Sequence, residues 1–167
     1  MSLATSLAAD FQSEIDATRR VLGAVPESKF AWQPHKKSMT LGRLASHVAE
    51  NAGFITGMME PEMDFEVVSA QWKPLDAKSA KELLTAFEAS VKTFNDQLAG
   101  KDDAFMKGTW TMRAGPKVFM SVPRHEAIRT IGLNHMIHHR GQLTVYLRLL
   151  DVPVPSTYGP TADHPMM

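Results

Sequence analysis

The chain has 167 residues, of which 44% are apolar and 22% are charged, a composition typical of one globular domain spanning residues 1–167. Basic and acidic residues number 18 each, so the net charge is zero and gives no reason to expect a nucleic acid or an anionic membrane as partner. The sequence contains no cysteine, which excludes disulfides, thiolate metal sites and a cysteine nucleophile.

The first predicted element is an amphipathic helix close to the N-terminus, from about Leu3 to Leu22. Residues of its inward face recur at spacings of three and four: Leu3, Leu7, Phe11, Ile15, Thr18 and Leu22. Asp10 and Glu14 come too early for a secretory leader, and no apolar run approaches the roughly 20 residues that cross a bilayer. The sequence therefore predicts a soluble, cytoplasmic protein.

Three further amphipathic helices are predicted, at about residues 41–59, 77–99 and 123–150. Ser38 or Thr40 could be the N-cap of the second helix. Glycine follows the third helix and a proline-rich tail follows the fourth, and both are signals that a helix has ended. Four long amphipathic helices in a chain of this size predict an all-α fold, a four-helix bundle.

The two connections that flank the third helix are long and irregular. Trp72 is expected to anchor the first of them to the core. The second, at about residues 101–120, contains glycines, a proline and scattered aromatic residues, so a short hairpin or an irregular excursion is expected there. With connections of this length the helices need not follow a simple up-down-up-down order.

The fourth predicted helix carries two histidines, His135 and His139, on one face and one turn apart. That face also bears apolar residues and should point to the interior, where two imidazoles at this spacing can reach one metal ion. A hydrogen-bonded histidine pair in a polar pocket is the alternative. His138 lies near the edge of the face and is expected to be auxiliary, whereas Arg140 lies opposite and is interpreted as a surface or dimer-interface residue.

A third histidine, His47, lies on the inward face of the second helix, in line with Leu44, Asn51 and Ile55. Its position favours a three-histidine metal site made of His47, His135 and His139 over a lone core histidine. The remaining histidines are weaker candidates because they lie in a turn, far along the fourth helix and in the tail: His35, His125 and His164.

The segments "LGRLASHVAE" and "NHMIHHRGQLTVYLRLL", with a W.P pair at Trp32 and Pro34, resemble those of the DinB family over essentially the whole chain. This resemblance implies an up-down-down-up bundle that is often dimeric. It also implies one divalent ion, zinc or nickel in most cases, bound by His47, His135 and His139. Relatives of this kind include S-transferases that use thiols such as bacillithiol or mycothiol, and metal-dependent hydrolases or isomerases.

Three imidazoles leave at least one coordination position open to water or to a small-molecule substrate, as in catalytic rather than structural sites. An ion there could acidify a water or a thiol, or polarise a carbonyl. Since the chain lacks cysteine, a thiol would have to come from a cosubstrate. A thiol-dependent transferase or a hydrolase is therefore expected, and a non-catalytic protein with a structural or sensory metal is the alternative. A di-iron site is excluded because no Glu-x-x-His motif occurs.

No catalytic side chain can be assigned from the sequence. Three polar residues could orient the ligand rings or could be ordinary helix residues: Glu50, Asn51 and Gln142. Three aromatic residues could line a pocket, although core packing is the favoured interpretation: Trp110, Phe119 and Tyr146.

Overall fold

The computed structural model describes residues 1–165, and most of these residues are helical. The α-helices are, in chain order, α1 (Leu3–Gly23), α2 (Leu41–Asn51), α3 (Phe65–Gln71), α4 (Ala80–Leu98), α5 (Asp103–Lys107), α6 (Arg124–Ala127) and α7 (His135–Leu149). A 3₁₀ helix, Glu27–Lys29, precedes α2, and a second, Ala52–Met58, extends it. A π-helical segment, Ile128–Asn134, joins α6 to α7.

The long helices begin at polar caps. The side chain of Thr40 accepts from the backbone N–H of Arg43 at the start of α2, so Thr40 rather than Ser38 is the N-cap. Ser79 caps α4 in the same way, through the N–H of Glu82. Beyond the end of α4, Gly100 has a φ of 72°, the left-handed conformation expected of a glycine that follows a helix.

The long helices share one apolar core. Helix α1 packs on α4 and α7, and α2 packs on the same two helices. Inside, the rings of Phe11 and Phe94 lie 4.0 Å apart between their centroids, and Leu22, Leu44 and Phe87 are buried in the same core. Among residues 1–165, no helix combines the length and the apolar composition that a membrane crossing requires.

A small sheet makes the all-α prediction too narrow. Strands β1 (Glu62–Asp64), β2 (Thr109–Ala114) and β3 (Lys117–Pro123) lie in the order β1-β2-β3. The β2–β3 pair is an antiparallel hairpin that turns at Gly115, which has a φ of 52°, and it fulfils the hairpin alternative expected for the second connection. Strand β1 runs parallel to β2 and was not predicted, because three residues of the sequence Glu-Met-Asp carry no strand periodicity.

Trp72 does not anchor the first connection to the core, as the sequence had suggested. It is exposed at the end of α3, and its ring meets that of Phe54 edge-on. The buried indole in this part of the fold is Trp110 on β2, whose Nε1 donates to the carbonyl of Gly57 at 3.1 Å. Core packing is thus confirmed for Trp110, whereas Phe119 on β3 is exposed.

Arg140 is not a surface residue: it is 1% exposed, between α1 and α7. One Nη donates to Oε2 of Glu14 at 2.7 Å, and the other donates to Oγ1 of Thr18 at 2.9 Å. The hydroxyl of Tyr158, in the C-terminal tail, donates to the same Glu14 oxygen at 2.8 Å. The helical wheel placed Arg140 opposite the histidines correctly, but α1 covers that face of α7, so it does not meet solvent.

Replacing Arg140 with alanine should lower the free energy of unfolding by about 3–5 kcal/mol, because the Glu14 carboxylate would remain buried without its partner. Urea denaturation followed by far-UV circular dichroism measures the loss. Arg148→Ala is the matched control. Arg148 lies on the same helix but at its surface, where it pairs with Asp163 of the C-terminal tail, and losing this pair should cost less than about 1 kcal/mol. Equal losses in the two variants would contradict the buried pair.

Candidate metal centre

The packing of α2 against α7 brings three histidines together. His47 comes from α2, and His135 and His139 come from successive turns of α7. The Nε2 atom of His135 lies 3.4 Å from that of His47 and 2.7 Å from that of His139. One ligand atom from each residue lies within 4.8 Å of the others, so the group could hold a metal ion. The remaining histidines predicted as weaker candidates are not part of this group: His35, His125 and His164.

The π-helical segment places His135 at the start of α7. In an α-helix the N–H of His135 would bond to the carbonyl of Ile131, four residues earlier, but here it bonds to the carbonyl of Thr130. The Ile131 carbonyl, which this backbone N–H does not use, raises the pKa of the His135 ring and so opposes the effect of burial.

Glu50 holds the outer nitrogen of His47. Its Oε1 lies 3.5 Å from Nδ1 of His47 and accepts from Arg43 at 2.6 Å, while Oε2 accepts from the N–H of Leu75 at 2.7 Å. Burial raises the pKa of Glu50, but the hydrogen bonds from His47, Leu75 and Arg43 outweigh it and hold the pKa below its ordinary value. Glu50 is therefore a carboxylate at neutral pH.

Gln142 holds the outer nitrogen of His139. Its Oε1 accepts from Nδ1–H of His139 at 2.7 Å. Because a neutral imidazole carries one proton, this bond leaves a lone pair on Nε2 of His139, which lies 2.7 Å from Nε2 of His135. The three residues proposed from sequence as ring partners all contact a histidine: Glu50, Asn51 and Gln142.

The side-chain oxygen of Asn51 is unpaired within residues 1–165 and could accept a hydrogen bond from His135 when that histidine binds an ion. The residue is fully buried, its amide nitrogen lies 3.2 Å from Nδ1 of His135, and its Oδ1 has no hydrogen-bond partner among the described residues. The oxygen and nitrogen of an amide exchange places by a half-turn. Turned over, Asn51 would accept from Nδ1–H of His135, which is the tautomer whose Nε2 can bind a metal ion.

Two histidines of α7, His135 and His139, are held neutral. Burial lowers the pKa of His139 to about 4; the neighbouring histidines lower it further, while the bond to Gln142 opposes the fall. Burial also lowers the pKa of His135, together with the charges of His47 and His138, and the Ile131 carbonyl opposes that change. Protons therefore compete little with a metal ion for these two rings at neutral pH.

The cluster is open to solvent on the side of α7. His47 is buried, whereas His135 and His139 are partly exposed and Gln142 is exposed. His138 is exposed as well, with its ring centroid 4.9 Å from that of His139, and it lies outside the group of three. Two of the three rings in the cluster are therefore in contact with solvent.

Two neighbours of the site were missed in the sequence. Phe54 lies beside His47, with their ring centroids 5.9 Å apart. Arg43 approaches Nδ1 of His47 at 3.4 Å. Arg43 precedes His47 by four positions and Glu50 by seven, so the helical spacing alone could have placed the three side chains on one face.

Comparison with known proteins points to a single family. A model of the DinB family matches residues 1–166. The protein YrdA of Bacillus subtilis strain 168 is 27% identical over 160 residues, which cover 92% of this chain and 86% of YrdA.

Solved structures have a similar fold. A DinB-like protein of Bacillus cereus ATCC 10987 superposes with a TM-score of 0.68 at 21% identity, over 91% of this chain and 95% of its own. The DinB-like protein YjoA of Bacillus subtilis superposes with a TM-score of 0.64 at 17% identity, over 97% of this chain and 99% of its own. At these identities the likeness concerns the fold alone.

Metal-free protein should lose stability as the pH falls from about 6.5 to about 4. Above about pH 6.5, His139 is neutral in both the folded and the unfolded protein. Between about pH 6.5 and about pH 4, His139 takes up a proton in the unfolded chain but not in the folded protein, where its pKa is lowered, so protonation favours unfolding. Urea midpoints of EDTA-treated protein, measured at about pH 7.5 and about pH 5, test the prediction. The difference between the two midpoints should shrink in His139→Gln, and an unchanged difference would exclude His139 as its source.

Proposed function

The chain belongs to the DinB family, and we propose that it binds one divalent metal ion through His47, His135 and His139 and acts with it on a small molecule. The observation that carries the proposal is the inward convergence of three Nε2 atoms while each Nδ1 faces a polar side chain. Metal-binding histidines in proteins have this arrangement, in which the outer nitrogen donates to a carboxylate, a carbonyl or a similar group.

The spacing of the nitrogens is compatible with a shared metal ion. Two nitrogens each bound about 2.0–2.1 Å from one tetrahedrally coordinated ion would lie roughly 3.3–3.4 Å apart. The Nε2 atoms of His47 and His135 have this separation, 3.4 Å. Those of His135 and His139 are 2.7 Å apart, a hydrogen-bond distance, and would have to separate slightly.

We propose zinc or nickel as the ion, because neutral imidazole suits both and the chain offers no thiolate that would select a softer ion. Three protein ligands leave a coordination position open for substrate, as in catalytic sites.

We further propose an up-down-down-up order for the long helices, because the connections before and after α4 are both long.

A bound divalent ion would supply Lewis acidity, which lowers the pKa of an adjacent water or thiol and polarises a carbonyl. The side chains of this protein would hold the three rings neutral and oriented, with Glu50 on His47 and Gln142 on His139. Since the chain has no cysteine, the nucleophile would come from solvent or from a low-molecular-weight thiol. The proposed reaction is therefore thiol-dependent transfer or hydrolysis.

Purified protein should contain about one divalent ion per chain, which elemental analysis by mass spectrometry measures and identifies. The His47→Ala and His139→Ala variants should lose the ion, because two imidazoles bind far more weakly than three. His138→Ala is the matched control and should retain it, since His138 lies outside the group of three. Retention of the full metal content by both ligand variants would show that the assignment is wrong.

Turnover separates an enzyme from a protein whose metal is structural or sensory. In the transfer assay, monochlorobimane reacts with a thiol such as bacillithiol: a sulfur–carbon bond forms, the carbon–chlorine bond breaks, and chloride and the thiol proton enter solvent. Hydrolysis of 4-nitrophenyl acetate is the second assay. We expect metal-dependent turnover in one of the two, lost in His139→Ala and kept in His138→Ala. Turnover in neither assay by metal-loaded protein would favour the non-catalytic alternative.

A further inference from the structure

Exposed apolar side chains are concentrated in and beside α3. Phe65, Val67, Val68 and Trp72 are between 42% and 55% exposed, and none of the residues of α3 is buried. Single exposed apolar residues are common on protein surfaces and need no explanation, whereas a contiguous group usually marks a binding site. The neighbours of these four side chains indicate what kind of molecule they could bind.

The apolar group extends to the histidine cluster through two aromatic contacts. The ring of Trp72 meets that of Phe54 edge-on, with centroids 6.0 Å apart. The ring of Phe54 in turn lies 5.9 Å from that of His47. Phe54 is partly exposed. An apolar surface therefore begins beside one of the proposed metal ligands and continues outward to α3.

The exposed indole of Trp72 is held in place by residues that also hold His47. The guanidinium of Arg43 lies 5.6 Å from the centre of the indole ring. Arg43 also donates to Glu50 at 2.6 Å and to the carbonyl of Leu75 at 3.3 Å. Leu75 completes the arrangement by donating its N–H to Glu50 at 2.7 Å. A ring that is already fixed loses little conformational entropy when a ligand packs on it.

We propose that Phe54 and Trp72 form an aromatic subsite, which binds the aromatic ring of a substrate whose polar reacting group reaches the three histidines. This inference rests on the proposed metal site and goes further by naming the substrate class, a small aromatic molecule. Aromatic side chains favour such a ring because edge-to-face and offset contacts add to the burial of its apolar surface.

Two hydroxamates that bind metal through the same group test the subsite. Benzohydroxamate carries a phenyl ring where acetohydroxamate carries a methyl group, so their affinity ratio isolates the ring. Isothermal titration calorimetry with zinc-loaded protein should give benzohydroxamate an affinity about ten-fold higher, consistent with one good aromatic contact and the extra burial. The Trp72→Ala variant should lose most of this preference, and Trp72→Phe should recover it.

Phe119→Ala is the control for a general effect of removing an exposed aromatic ring. Phe119 is somewhat more exposed than Trp72, at 51% against 42%, and its ring packs under Lys117. This variant should keep the full preference for benzohydroxamate. Equal loss in Phe119→Ala and Trp72→Ala would overturn the assignment of the subsite.

The same experiment separates failure of the subsite from failure of the metal site. If wild-type protein takes up neither zinc nor nickel, the proposed function is wrong and the subsite falls with it. If zinc binds and the two hydroxamates bind equally well, the subsite alone is wrong. Size-exclusion chromatography gives the remaining outcome: if Trp72→Ala shifts elution to a smaller species and leaves the affinity ratio unchanged, the apolar group is a contact between copies of the chain.

Discussion

Helix α7 carries polar side chains on two opposite faces, one buried and the other partly buried, and much of the fold follows from that constraint. One face carries His135 and His139, and the other carries Arg140. A buried guanidinium is costly unless it is paired and hydrogen-bonded. Arg140 meets both conditions through Glu14 and Thr18, so α1 has to lie against α7 in one register.

The two histidines on the opposite face of α7 need no charged partner, because imidazoles can be partly buried as neutral groups. Burial lowers the pKa of His135 and of His139, and each neutral ring then needs one hydrogen-bond donor and one acceptor. Asn51 and Gln142 contact the outer nitrogens, while the inner nitrogens face one another. The inner nitrogens of the three rings converge on a shared space, and a divalent cation is one partner that can bind all three once each presents its lone pair there.

How much of this could be predicted from sequence depends on the kind of information required. Helical spacing sufficed for the meeting of His135 and His139 on one face, and for placing Glu50 beside His47. It could not show that α1 covers Arg140, because a helical wheel shows which face of a helix a residue lies on but not which element packs against that face. It also could not reveal the π-helical turn, since the change from i−4 to i−5 bonding leaves no mark in a pattern of apolar residues. Trp72 was misjudged for a related reason: large apolar residues are usually buried, and an exposed one is recognised only from its surroundings.

Glu50 links the histidine cluster to the connection between α3 and α4. Its carboxylate lies against Nδ1 of His47 and also accepts hydrogen bonds from Arg43 and from the N–H of Leu75. A second bond, from the N–H of Ala77 to Ser46, fixes the same stretch of backbone to α2. The exposed end of α3 is therefore tied to the helix that carries a proposed ligand. Because Arg43 also packs on the indole of Trp72, any displacement of this connection would alter both the orientation of the His47 ring and the apolar surface beside it. The ligand and the surface that would receive a substrate are thus positioned by one set of charged side chains.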